Sequence, residues 1–203
     1  MATQKFTGVI PPVVVPDTED HQLDVASFER SINRRSMPAS MACSSWAPRA
    51  RSSSSTDERR RQIIAEAVRI VDHRVPVLVG IIDTETERVI ENIKPWKRSA
   101  APPASSRPPR STPSAAETEV ERHFRLLKEN TSLELWAYDI PVCVHTKLSP
   151  DLLMRLGRDG IIDGVKDSSG DDVAFRWLCL ANEAAGHPMQ LLTGRRVVAR
   201  WRL

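Results

Sequence analysis

Gly164-Val165-Lys166-Asp167-Ser168-Ser169-Gly170 places a lysine at the end of an apolar run and just before a turn. The preceding Ile161-Ile162-Asp163-Gly164-Val165 reads as a short buried strand, and Gly170-Asp171-Asp172 as a turn into a helix. Lys166 is therefore expected at a strand's carboxyl end. Burying a lysine is costly, so such a residue has either a charged partner or a chemical task that uses a lowered pKa. Schiff-base formation is a task of that kind, because the amine must be partly deprotonated to attack a ketone and an apolar setting favours the neutral form. The competing reading is an ammonium paired with Asp167 or Asp163.

Working outward, Leu133-Glu134-Leu135-Trp136-Ala137-Tyr138-Asp139-Ile140-Pro141 reads as another strand, ending in a Tyr-Asp-Ile-Pro turn. Tyr138 precedes Lys166 by 28 positions, and a helix starting at Ser149-Pro150-Asp151 fills the interval. This pair of motifs resembles the dihydrodipicolinate synthase and N-acetylneuraminate lyase family of class I aldolases. There a tyrosine in a Tyr-Asn/Asp-x-Pro turn lies one strand-helix unit before the Schiff-base lysine of a Gly-x-Lys-Asp/Glu segment. The likeness extends through Phe6-Thr7-Gly8-Val9-Ile10-Pro11-Pro12, Asp57 to Asp72, Pro76 to Gly80 and Met189 to Gly194.

The resemblance implies a (β/α)8 barrel in which Lys166 attacks the ketone of a pyruvate-like 2-oxo acid and Tyr138 relays protons. It implies no external cofactor, and a homo-oligomer, a tetramer in the family. Two departures bear on the substrate. Where dihydrodipicolinate synthases carry an arginine that holds the second substrate, this chain has Cys143 between Val142 and Val144. That favours a lyase or aldolase acting on another 2-oxo acid. Pro48, Arg49 and Thr112 stand where the carboxylate-binding loop and a second relay tyrosine are expected, so the chain keeps the Schiff-base half of the site and lacks the substrate-orienting half.

Read in order, Thr7 to Pro16 is long enough for a central strand. Asp24 to Arg34 has Val25, Phe28 and Ile32 at helical spacing, and Thr56-Asp57-Glu58 caps a helix carrying Ile63, Ile64, Ala67, Val68 and Val71. Pro76 to Ile82 is a continuous apolar strand of the kind found in parallel sheets. Asp83-Thr84 caps a helix through Val89, Ile90 and Ile93. Helices are expected at Glu119 to Asn130, through Val120, Phe124 and Leu127, and at Asp171 to Ala185, through Phe175, Leu178, Leu180 and Ala181; Met189 to Gly194 reads as the last strand. Such alternation predicts an α/β fold with parallel strands. Five strands result, where a closed barrel uses eight.

The gaps fall at the second, fourth and eighth strands, and the first two coincide with residues 35–55 and 95–116, which contain no acid and are rich in Arg, Ser, Pro and Ala. These blocks carry enough of the basic residues that the rest of the chain is net acidic, although the whole is +3. Disordered linkers are the plain reading, but a linker in place of a central barrel strand leaves a hole in the core. Out-of-frame translation is the sharper one. With G/C-rich codons displaced by one base, Ser36 to Arg51 becomes I-D-A-G-V-D-G-L-F-V-L-G-S-S-S-E. Trp96 to Ala115 becomes V-E-A-L-G-G-A-A-G-I-V-A-T-A-P-F-Y-A-L-G. Each supplies a helix end, a strand and a family-like loop, and residues 195–203 read as a third displaced tail. The expectation is thus one truncated barrel domain over residues 1–203.

At 203 residues with 40% hydrophobic and 27% charged residues, the composition is that of a soluble globular protein; a family barrel usually needs about 250 residues. No run approaches a membrane span, and Met1-Ala2-Thr3-Gln4-Lys5 lacks a signal-peptide core, so the cytoplasm is expected. Cys43, Cys143 and Cys179 form no metal or disulfide pattern, and the histidines show no ligand spacing, so no metal is expected. Asn130-Thr131-Ser132 reads as a helix end. The alternative function is a non-catalytic binding protein using basic segments such as Ser106-Arg107-Pro108-Pro109-Arg110-Ser111. It leaves the Tyr138 and Lys166 spacing unexplained, and neither nucleic acid nor membrane is expected as a partner.

Overall fold

The computed structural model describes residues 6, 9–35, 56–96, 104–106 and 116–194. The displaced-frame blocks, save 35, 95–96, 104–106 and 116, and the tail 195–203 lie outside the described residues, as does most of the basic Pro/Arg/Ser segment. The chain divides into two units, one of Ala2–Gly80 with Ala100–Ala104, the other of Met1, Ile81–Ser99 and Ser105–Leu203.

In the first unit, helix α1 (Val25–Arg35) begins where Asp24 accepts the Ser27 amide at 2.9 Å and its hydroxyl at 2.5 Å, satisfying groups that the first turn leaves open. Phe28 and Ile32 are buried as their spacing predicts, whereas Val25 is 36% exposed at the helix start. Helix α2 (Asp57–Val71) is capped by Thr56, whose hydroxyl accepts from the Arg59 amide at 3.3 Å. It ends at Asp72 in the left-handed conformation. Its buried face is Ile63, Ile64, Ala67, Ile70 and Val71; Ile70, not the expected Val68, points inward. Arg59 ties this helix to Asp17 at 2.5 Å and to the His21 carbonyl, across a loop closed by the Asp17–Leu23 bridge.

Two expected strands differ. Residues 9–16 form no strand beyond a single bridge position at Pro12: Pro11, Pro12 and Pro16 lack the amide donors a longer ladder needs, and Val9 and Val14 are exposed. Of Pro76 to Ile82 only β1 (Val79–Gly80) is strand, although Val77, Leu78, Val79, Ile81 and Ile82 are all buried. An apolar run guarantees burial, not pairing. Conversely a short strand, β2 (Ala104–Ser106), occurs within residues 95–116, where no strand periodicity was legible.

In the second unit, α3 (Thr86–Ile93) starts two residues later than Asp83-Thr84 suggests. Asp83 instead accepts from the Thr84 amide and Arg88, both at 2.8 Å, and from Asn92 at 3.3 Å. These bonds hold its carboxyl down at about 2 against the opposing effect of burial. Helix α4 (Glu117–Glu129) buries Val120, Phe124 and Leu127 as expected, together with His123. The Ala116 amide donates to Glu119 at 3.2 Å, one half of a capping box, since alanine has no side-chain acceptor for the other half. Asn130 is the C-cap, so the Asn-Thr-Ser triplet is a helix end.

Strands β3 (Leu135–Asp139), β4 (Gly164–Asp167) and β5 (Gln190–Thr193) pair in parallel in that order. Between them run α5 (Pro141–Val144), α6 (Pro150–Arg158) and α7 (Asp172–Ala184). Ser149 caps α6 by accepting the Leu152 amide at 3.1 Å, with Pro150 in the first turn where its missing donor costs nothing. On α7 the buried positions are Phe175, Leu178 and Asn182; Leu180 is 43% exposed, off the apolar face expected of it. Asn182 is buried because its amide donates to the Met189 carbonyl at 3.0 Å and accepts the Met189 amide at 3.3 Å, stitching α7 to the approach to β5.

Candidate active site

In a strand successive side chains alternate between faces, and paired residues of parallel neighbours share a face. Register pairs Trp136 with Gly164, Tyr138 with Lys166, and Lys166 with Leu192. One face of the sheet therefore carries Trp136 and Tyr138 beside Gly164 and Lys166, with Leu192 on the far side of the lysine. The Lys166 Nζ lies 4.2 Å from the centre of the Tyr138 ring. Tyr138 is 3% exposed. The two residues singled out in the sequence thus meet at the carboxyl ends of adjacent strands.

Beneath them Trp136 is fully buried, its indole lying across Gly164 so closely that a Cβ there would sit 2.6 Å from Cε3. Tyr138 and Leu192 flank Lys166 in register, and partial burial lowers its pKa to about 8. Roughly a tenth of an amine with that pKa is neutral at pH 7, against well under a thousandth for an ordinary lysine.

Asp163 and Asp167, the acids closest to Lys166 along the chain, both bond to other groups. Asp163 accepts from Lys128 at 3.2 Å and from the Leu135 amide at 2.8 Å. Asp167 is on the reverse face, accepting from the Ser169 amide at 3.2 Å and its hydroxyl at 3.0 Å. Asp139, paired with Asp167 in register, is also on the reverse face and fully buried. It bonds to Lys147 and accepts the Leu148 amide at 3.3 Å. Burial pushes the Asp139 carboxyl up to about 6, opposed by Lys147. Sequence reasoning missed Lys147 and Trp136. The signal available for Lys147 was that both candidate residues are followed directly by an aspartate, two like charges on one face in need of a counterion.

Cys143, standing where an arginine was expected, lies half-buried in α5 as a free thiol. Among the described residues there is no cluster of three or more His, Cys, Asp or Glu suited to a metal ion, and no helix long and apolar enough to cross a membrane.

Comparison with known proteins bears on the family and the fold. Residues 5–184 match the Dihydrodipicolinate synthetase family. A 4-hydroxy-tetrahydrodipicolinate synthase of Methanoculleus marisnigri is 29% identical over 177 residues, covering 82% of this chain and 57% of that protein. The structure of YagE, a prophage protein of the dihydrodipicolinic acid synthase family from E. coli K12 in complex with pyruvate, is 26% identical with a TM-score of 0.85. That match covers 93% of this chain and 63% of YagE. Dihydrodipicolinate synthase from Bacteroides thetaiotaomicron is 25% identical with a TM-score of 0.85, covering 96% and 64%. The fold is accordingly an incomplete (β/α)8 barrel, and the chain spans less than two thirds of the length of these relatives.

Proposed function

The chain belongs to the dihydrodipicolinate synthetase family, and on that premise we propose that the Tyr138–Lys166 pair is a Schiff-base site for a pyruvate-like 2-oxo acid. The neutral Lys166 amine adds to the ketone carbon. The carbonyl oxygen takes up protons and departs as water, leaving a protonated imine. That cation accepts the electron pair of the carbon-carbon bond being broken and becomes an enamine, which is reprotonated on carbon; when a bond is made, the imine first loses a proton from the adjacent carbon, and the resulting enamine supplies the pair. Tyr138 is the proton carrier, donating to the departing oxygen and recovering the proton as the adduct is hydrolysed. The observation that carries this reading is the in-register contact of an amine desolvated to a pKa of about 8 with a tyrosine ring.

A lyase or aldolase is favoured over the lysine-pathway condensation, since Cys143 offers no cation for a second carboxylate. The basic blocks 35–55 and 95–116 are read as displaced in frame, which leaves the chain with the imine-forming half of a family site. Resequencing the gene across both blocks and the codons after Gly194 tests that part; an intact frame there overturns it.

The experiment for the chemistry is reduction with borohydride in the presence of pyruvate, followed by peptide mapping. A reduced pyruvyl adduct on Lys166, lost in Lys166→Ala, is the expected result. An adduct on another lysine, or none, refutes the assignment.

A further inference from the structure

Tyr138 and Lys166 are each followed by an aspartate, so the register that brings the pair together on one face brings Asp139 and Asp167 together on the other. Like charges directly across neighbouring strands repel, and here both are nearly removed from solvent, at 0% and 4% exposure. Left alone, that repulsion would push apart the strand ends bearing the candidate site.

Among the described residues, one cation stands between them. Lys147 bonds Asp139, lies 3.8 Å from Asp167 Oδ2, and donates to the Leu148 carbonyl at 3.0 Å. The chain delivers it there by a sharp return. The α5 turn ends at His145 in the left-handed conformation, its amide on the Pro141 carbonyl at 2.7 Å, and Leu148 is then anchored by its amide on Asp139. The remaining groups around the cluster are Ser169, which donates to Asp167, and Cys179 and Arg176 of α7. The Cys179 thiol is raised in pKa by burial and by Asp167 and opposed by Arg176.

We infer that Lys147 is a positioning residue: by bridging Asp139 and Asp167 behind the sheet, it holds Tyr138 against Lys166 in front of it. The residue touches no reacting atom in this role. Its effect passes through the backbone register of β3 and β4, where the Ser168 amide also donates to the Asp139 carbonyl at 2.8 Å. The inference rests on the proposed Schiff-base chemistry for its catalytic readout only.

The test compares the full chain with Lys147→Met, Lys147→Arg and the triple variant Asp139→Asn, Lys147→Met, Asp167→Asn. The first readout, independent of any 2-oxo acid, is the pH profile of Lys166 acylation by acetic anhydride, followed by mass spectrometry. The second is the rate of borohydride trapping with pyruvate. Lys147→Met is expected to move the acylation midpoint upward as water enters, and to slow trapping by roughly 10- to 100-fold, the scale of a misplacement near 1 Å. Lys147→Arg keeps the charge and stays within a few-fold of the parent. The triple variant, with nothing left to repel, recovers both readouts to within a few-fold.

Parent-like acylation and trapping in Lys147→Met overturn the inference. A triple variant no better than Lys147→Met does the same, including the case in which neither folds. If Lys147→Met fails to fold while the triple variant folds with the parent's acylation profile, the clip is supported. If the parent acylates with a low midpoint but traps no pyruvate, the Schiff-base reading falls alone, and the acylation series still decides the clip.

Discussion

Gly164→Ala tests the platform under the site. A Cβ at residue 164 would lie 2.6, 2.7 and 2.7 Å from Cε3, Cδ2 and Cε2 of Trp136. Ordinary carbon contacts run at about 3.5–4.0 Å, so the overlap is about 1 Å against three atoms of one rigid ring. Trp136 is fully buried and has no solvent to retreat into. Overpacking of a core costs about 1–3 kcal/mol, and this geometry belongs at the upper end. Replacing glycine narrows the unfolded ensemble and returns about 0.4–1 kcal/mol. The net expectation is a loss of about 2 kcal/mol, a fall in Tm of about 4–8 °C for a chain of this size.

Urea unfolding followed by far-ultraviolet circular dichroism measures it. The double variant Gly164→Ala with Trp136→Leu isolates the cause. Trp136→Leu is destabilising by itself, but it vacates the space, so the two losses should fall short of additivity by about 2 kcal/mol. Gly164→Ala at parental stability, or strictly additive losses, would refute the claim that the indole occupies the glycine's missing side chain. Because Trp136 and Gly164 share a face with Tyr138 and Lys166, the single variant should also slow borohydride trapping.

Lys166→Met should abolish trapping yet raise stability at pH 7. The amine's folded pKa of about 8 is below its unfolded value, so the unfolded state binds more protons between the two, and the parent gains stability as pH rises from about 8 toward 10.5. The stability gap between variant and parent should close over that window; a gap independent of pH would contradict the assigned ionisation. His123 of α4, held near pKa 4 by burial and hydrogen-bonded through Nδ1 to Thr86 at 2.9 Å, carries the same sign. Its contribution is present above about pH 6.5 and is lost as pH falls toward 4, so His123→Leu should flatten the acid limb of a stability-versus-pH curve. Asn182→Ala leaves the Met189 amide and carbonyl without partners, a loss of about 1–3 kcal/mol, with hydrogen exchange accelerated at Met189. Unchanged exchange there would show that α7 does not hold the approach to β5.

The strand ends that carry the candidate pair were readable along the chain because apolar runs and turns are local, whereas Lys166 and Tyr138 were singled out by the family resemblance of their two motifs; the structure pairs them in register. Helices were legible from local signals too: α2 from its cap and 3.6-residue spacing, α4 from its spacing, and α6 from its Ser149-Pro150-Asp151 start. The failures have physical causes. Thr7 to Pro16 has apolar content suited to a strand, but its prolines remove ladder donors. Pro76 to Ile82 is buried yet pairs over only two residues. Leu180 looked inward because it is apolar, whereas Asn182 took that face by bonding to the Met189 backbone.

By itself, the sequence determined the alternation of strands and helices, because that depends on residues near one another, and through the resemblance of two short motifs it pointed to the family and to the candidate pair Tyr138 and Lys166. Only the tertiary structure decided that Trp136 fills the place of a side chain at Gly164, that Asp163 and Asp167 are held by Lys128 and Lys147, and that Lys166 is desolvated. These depend on residues brought together from different strands, helices and loops. Their existence depends on register and on which face each side chain takes, and a shift of one residue would reverse every one of them.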